Sequence, residues 1–429
     1  MKPKQMAGLA ILSVSNLILN FAFQWYVVTS LGSGQQTDAL FAAMIVPMII
    51  LSVVSSSLTH VLVPILSCKS GRAFEEDAWM YFYLVGFFFL LAAIVLIALD
   101  DIWIPLILPG FDDSAISLTT NIFEIQVFGI VGISLVAVLE AASHAKMKFY
   151  NVEIVKNIVG LIALLALSLN IDKYGVYAAA LIMAFRPLLS VLLMLKHLGH
   201  SRPPRVDKKE IIAVWKKLKY LMAGTIYYKT DPLLDRFLLS MSTMGSITIY
   251  HIAQQIYAAG SAIVSRAIVS PLVPLLSRHA KANRWRSFRK DYLSRFLLVT
   301  GIALLGLAAI ALIGQYLLEL MFLHGNFDSD SVRRLWELML LLFGTFIAGS
   351  AGQILASSFY AYGNTRTPTH IGIAGYTVGI VLKIVGFYYY GVAGVAVAAS
   401  SYYVLNAILL YIFLEKRINK KIIGDAEFA

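Results

Sequence analysis

The chain has 429 residues, of which 59% are hydrophobic and only 14% charged, against about 25% charged in soluble domains. That balance marks a membrane protein and excludes a soluble enzyme, and it makes nucleic-acid binding a poor explanation of the +11 net charge. The lone cysteine, Cys68, allows no internal disulfide.

A spanning helix needs about 20 predominantly apolar residues. The intervening loops mark out twelve such stretches, near 6–30, 38–66, 79–99, 115–143, 150–170, 174–196, 218–240, 246–275, 293–322, 332–361, 368–389 and 391–414. The expected fold is an all-α polytopic membrane protein with almost no chain left for a separate catalytic domain. The basic start lacks a small-residue cleavage site, so the first stretch is expected to stay as a span.

Between the first two spans lies "LGSGQQTDALF" (31–41), in which Gly32 and Gly34 permit a tight reversal. Asp38 opens the second span, where a carboxylate can cap the free N–H groups of its own helix. A gate contact is the other reading. Cys68, at the inner end of this span, suits a reduced thiol.

Charge within hydrocarbon is costly and usually faces a cavity or a partner, so each such residue is informative. Glu124 and Glu140 lie in the fourth span and Arg186 deep in the sixth. Glu140 is near enough to a helix end to snorkel to water. Arg186 is too deep for that, and is half of an ion pair or part of a cationic cavity. The basic stretch "HLGHSRPPRVDKKE" (197–210) then divides the chain into an N-lobe at 1–200, a linker at 201–217 and a C-lobe at 218–429.

The seventh span carries "YYKTDPLLDRF" (227–237), the densest cluster of charge inside a span. Asp231 and Asp235, four apart, share a helical face, Pro232 between them can kink the helix, and Lys229 and Arg236 flank them. In the eighth span Arg266 is half of a structural ion pair or, the favoured reading, part of a cationic cavity for an anionic substrate. His251 is a core residue or a titratable group for transport. The stretch "RWRSFRKDYLSRF" (284–296) repeats Trp285, Phe288, Tyr292 and Phe296 at helical spacing. It reads either as a helix lying in the membrane interface or as a solvated loop; 207–220 around Trp215 reads similarly. Glu319 and Glu337 can snorkel, whereas Lys383 in the eleventh span sits at a depth that suits pairing with Asp231 or Asp235.

Two internal matches organise these spans. "VPILS" (63–67) returns as "VPLLS" (273–277), and "YGVYAAALIMA" (174–184) returns as "YGVAGVAVAAS" (390–400). Each joins a span to the one six further on, so the two six-helix lobes are parallel repeats. Loop Lys and Arg cluster on one side, and only Lys173, Arg333 and Arg334 fall on the other. Both termini are therefore expected in the cytoplasm. No phosphate-cradling G-x-x-x-x-G-K-[ST] is present, and the histidines lack metal-ligand spacing. Loops this short assemble no nucleophile, base and oxyanion set, so a non-enzyme without cofactor or metal is expected.

"LGSGQQTDALFAAMIVP" (31–47), running to "VLVPILS" (61–67), resembles the start of the MurJ/MviN lipid II flippase family. "LLDRFLLSMSTMGSITIYHIA" (233–253), "PLVPLLSRHA" (271–280) and "SSFYAYGNTRTPTHIGIA" (357–374) resemble later parts of it. The resemblance implies the multidrug/oligosaccharidyl-lipid/polysaccharide (MOP) exporter fold, working by alternating access around a central cavity. Family arginines thought to hold the carrier diphosphate are absent from the first and second spans, and Gln254 and Gln255 stand where an Asp-Arg pair is expected. The family also usually adds two helices beyond the twelve found here.

On this basis the expected cargo is a polyprenyl (undecaprenyl)-diphosphate-linked oligosaccharide or cell-wall precursor, flipped across a bacterial inner membrane. Arg266, Arg186, Lys229 and Gln255 would form its cationic site. Some family members bind sodium through an Asp in the seventh span, which Asp231 or Asp235 matches; Lys383 would replace the ion. Membrane lipids and cell-envelope synthesis enzymes are the expected partners. A cation-coupled multidrug antiporter is the rival and predicts an acidic cavity; a non-transporting scaffold predicts no polar cavity.

Overall fold

The computed structural model describes residues 3–50, 52–53, 56–200, 212, 215, 227 and 229–427, without the side chains of 3–7, 56–57, 59–60 and 424–427. The regular elements among them are all helices. In chain order these are α1 (Pro3–Leu31), α2 (Gln35–Ala43), α3 (Ile45–Ile50), α4 (Ser56–Ser67), α5 (Gly71–Ala98), α6 (Asp100–Ile107), α7 (Asp113–Ala145), α8 (Phe149–Tyr174) and α9 (Val176–Met194). There follow α10 (Asp231–Ser240), α11 (Ser246–Val264), α12 (Ser270–Lys281), α13 (Trp285–Phe322), α14 (Ser329–Ala361) and α15 (Arg366–Glu427). Among the described residues nine helical stretches are long and apolar enough to cross a membrane, and the last, 366–423, contains two spans. The other two expected spans are the second, which is broken, and the seventh, whose first part lies outside the described residues.

The second span is interrupted where its sequence demands it. Pro47 has no N–H to give and its ring crowds the carbonyl four residues back, which belongs to Ala43, the last residue of α2. The chain turns at Met44 and resumes as α3. The eighth span absorbs Pro271 differently, by widening into a π-helical turn at Ser265–Val269 between α11 and α12. There the Ser270 hydroxyl donates to the Ser265 carbonyl at 3.1 Å. Pro232 is the second residue of α10; residues 227 and 229 before it are helical and Thr230 between is a turn, so the span is interrupted next to the proline.

The repeat is more regular in the backbone than in the sequence. Gly175 (φ 55°, ψ −134°) separates α8 from α9, and Gly391 (φ 58°, ψ −136°) breaks α15; both adopt a conformation essentially reserved for glycine. Asp112 caps α7 by accepting from the Ala115 N–H at 2.8 Å, and Asp328 caps α14 by accepting from the Ser331 N–H at 2.9 Å. The Ser331 hydroxyl and N–H hold the Asp328 carboxyl below its ordinary range. The same cap and the same break therefore recur in corresponding places.

Two compact units result: Met1–Thr248 with Gly325–Phe327, and Ile249–His324 with Asp328–Ala429. In the first, α7 is the hub, packed against α2, α4, α5, α8 and α9. Gly129 and Gly132 make the crossing with α9 close. A Cβ on Gly132 would lie 2.8 Å from the Pro187 side chain, and one on Gly129 would lie 3.3 Å from the Ala184 Cα. Small residues at such crossings replace the hydrophobic driving force that lipid removes.

In the second unit the aromatic stripe of 284–296 is neither an interfacial helix nor a solvated loop. It is the first three turns of α13, and Trp285, Phe288 and Tyr292 are buried against Leu276, Phe359, Leu414 and Ile418. Its polar edge is fastened by Arg289, bonded to Glu415 at 2.9 Å, by Tyr292 donating to the same carboxylate, and by Lys421 lying 3.8 Å over the Trp285 ring. The periodicity is amphipathic, but protein covers the apolar face. Of the segment 207–220, only Ile212 and Trp215 are described, and both are exposed.

Placing a Cβ on Gly175 or Gly391 forces an L-residue into a glycine-only conformation, so Gly175→Ala and Gly391→Ala are each expected to lose about 1–3 kcal/mol. Unfolding midpoints in detergent would show it, with Gly301→Ala, where a Cβ meets open space, as the neutral control.

Candidate functional site

The first unit has an open cavity of about 310 Å³ lined by Asn16, Asn20, Ile133, Val136, Glu140, Lys156, Arg186, Pro187 and Ser190. Four helices supply these residues: α1 the two amides, α7 Glu140, α8 Lys156 and α9 Arg186 with Ser190. Arg186 stands ten residues into α9, or about 15 Å along the axis. Room for its guanidinium comes from Gly160 on α8, where a Cβ would lie 3.3 Å from Nη2.

The charges are unequally satisfied. Lys156 pairs with Glu140 at 2.7 Å, and Asn20 donates to the Asn16 side chain at 2.9 Å. Among the described residues the Arg186 guanidinium makes no ion pair. One arginine, one lysine and one carboxylate leave the cavity with a net charge of +1, and the free cation is the one whose flat fork matches phosphate oxygens. Glu140 therefore does not snorkel to water but is held by Lys156. Lys156 lies about two turns into the fifth span, and the signal by which sequence reasoning could have found it is a charge of opposite sign to Glu140 at a similar depth on the next helix.

Of the expected cationic set, Arg186 is the member that lines this cavity. Lys229 is half-buried in the first unit and does not line the cavity. Arg266 and Gln255 belong to the second unit, Arg266 exposed on the π-helical turn and Gln255 half-buried on α11. Asp231 is half-buried, and Asp235 and Arg236 are fully buried, all in the first unit. Lys383, in the second, is fully buried with its ammonium 5.6 Å from the Tyr402 ring centre. His251 is buried in the second unit. Glu124 lines a separate apolar groove with Ile97, Phe128 and Phe185.

Asp38 caps a helix, but not its own. Gly34 is the N-cap of α2, which places Asp38 past the first free N–H groups. Its carboxylate instead accepts from the Gly245 N–H at 2.6 Å, the Thr248 N–H at 2.7 Å and the Thr248 hydroxyl at 2.6 Å, the free donors at the start of α11. Arg236 is close enough to act on it electrostatically. Gly245 must be glycine here: its φ is +83°, and a Cβ would press to 2.9 Å from the Ser33 carbonyl. Beside this contact the Asn326 N–H donates to the Thr29 carbonyl at 2.8 Å.

Removing the Asp38 carboxylate strands these buried donors, so Asp38→Ala is expected to cost about 3 kcal/mol or more. Thr248→Val, which deletes one bond to the same carboxylate, should cost about 1.5–3 kcal/mol. Denaturant titration of the two variants in detergent measures both.

Comparison with known proteins bears on this architecture. Residues 27–426 match the family described as lipid II flippase MurJ. A probable lipid II flippase MurJ of Vibrio cholerae is 29% identical over 202 residues, 46% of this chain and 38% of that one. The corresponding protein of Haemophilus influenzae is 29% identical over 215 residues, 47% of this chain and 41% of that one. The aligned part thus spans less than half the length of these relatives. Among solved structures, a lipid II flippase MurJ in an inward closed conformation aligns with a TM-score of 0.82 at 17% identity, over 96% of this chain and 89% of that one. An inward-facing multidrug resistance MATE family transporter of the MOP superfamily gives 0.80 at 12% identity, over 95% of each chain. These structures share the fold, and the match across residues 27–426 establishes that the chain belongs to the MurJ family.

Proposed function

We propose that this protein is a flippase that carries a polyprenyl-diphosphate-linked saccharide, a peptidoglycan precursor or a related cell-envelope intermediate, across the bacterial inner membrane by alternating access, with both termini in the cytoplasm. The observation that carries this reading is the Arg186 cavity: a guanidinium without an ion-pair partner among the described residues, within the span, in a pocket of net positive charge. A cation-coupled drug antiporter would be served by the opposite polarity.

The cavity receives the phosphate end of the cargo while the prenyl chain stays in lipid. Asn16 and Asn20 add amide groups suited to phosphate or sugar oxygens. Arg186, in the sixth span, stands in for the family arginines missing from the first two. Membrane potential contributes about 2.3 kcal/mol per charge moved per 100 mV.

In proteoliposomes carrying a short-chain prenyl-diphosphate disaccharide, Arg186→Ala is expected to lower the flipping rate at least tenfold. Arg186→Lys keeps the charge but loses the bidentate fork, and should fall between the two. Full activity of Arg186→Ala would overturn the reading. Lys383 stands in for a coupling cation, so the wild-type rate is expected to be equal in sodium and choline buffers; a sodium-dependent rate contradicts that role.

A further inference from the structure

The cavity's single carboxylate sits on the wrong residue for a purely structural ion pair. Arg186 is half-buried deep within a span, where a cation without a counter-charge is costly, and pairing it with Glu140 would relieve that cost. Glu140 instead binds Lys156 at 2.7 Å, with side-chain exposures of 14% and 32%, and both line the same cavity as Arg186. An ammonium has three donors, and this bond uses one. The arrangement therefore subdues one cation and leaves the other available.

We propose that Glu140 and Lys156 form a charge-setting pair that tunes how tightly the cavity holds a diphosphate-bearing lipid. Lys156 is a second phosphate ligand that offers its remaining donors beside Arg186. Glu140 is a positioning residue: it aims the lysine and keeps the net charge at +1 rather than +2, so that an anionic headgroup binds firmly enough to enter and weakly enough to leave. A transporter gains nothing from a site that does not release its cargo, and one carboxylate is the simplest way to set that limit. This inference rests on the reading of the Arg186 cavity as the headgroup site.

Charge arithmetic makes the test specific. Glu140→Gln raises the cavity to +2, Lys156→Gln lowers it to zero, and the double variant returns it to +1. With the full-length protein in detergent, affinity is measured for farnesyl diphosphate, with phosphatidylglycerol as the bulk anionic lipid. Glu140→Gln is expected to bind farnesyl diphosphate at least tenfold more tightly while flipping more slowly in proteoliposomes. Lys156→Gln is expected to bind at least tenfold more weakly, and the double variant to lie within about threefold of wild type. Phosphatidylglycerol should shift far less across the series; an equal shift assigns the pair to bulk lipid and overturns the proposal. Both single variants losing stability with unchanged affinity also overturns it, and leaves the headgroup reading intact if Arg186→Gln still abolishes binding. Unchanged affinity in Arg186→Gln as well would remove that reading itself.

Discussion

Hydrocarbon offers no partner to a hydrogen-bonding group or a charge, and the rest of this structure follows from that deficit. Regular helix satisfies the backbone, so each departure from it needs a local remedy. At the π-helical turn the Ser265 carbonyl takes both the N–H and the hydroxyl of Ser270. At the start of α11 the remedy is a carboxylate from far away in the chain. In the cavity the same rule acts on side chains, and Lys156 and Glu140 satisfy one another. The Arg186 guanidinium stands out because the rule is not met there from within the cavity.

The two carboxylates illustrate how partner number separates scaffolding from chemistry. An ionised carboxylate has about four acceptor positions. Asp38 spends three of them on Gly245 and Thr248, and Arg236 lies within electrostatic reach. It has almost nothing left for a substrate. Glu140 has one ion-pair partner and faces open volume. A group in that condition can exchange partners without unfolding anything.

Much of this was legible in the sequence because its signals are long. Twelve apolar stretches, the parallel repeat and the family resemblance all integrate over many residues, and the nine long apolar helices among the described residues lie near where composition put them. Single side chains fared differently. Asp38 belongs at a helix N-terminus by residue type, but its partners are 207 and 210 residues away, and no local pattern encodes such a distance. The stripe Trp285, Phe288, Tyr292 was visible as periodicity; which surface covers an apolar face is a tertiary fact, and here it is Phe359, Leu414 and Ile418. Glu140 was dismissed on depth alone, since the lysine that holds it lies on the next helix. Arg186 was singled out because one cation deep in a greasy helix is conspicuous without any partner.

The capping aspartates and the breaking glycines have a consequence for how the chain can vary. From Asp112 to Gly175 and from Asp328 to Gly391 the two halves count out the same number of residues, through two helices and the loop that joins them. One residue added inside a helix rotates everything beyond it by about 100°, carrying lining side chains out of the interior. That stretch behaves as a ruler: substitutions are free to make one half unlike the other, while lengthening or shortening it by a residue would turn an inward-facing side chain toward the lipid.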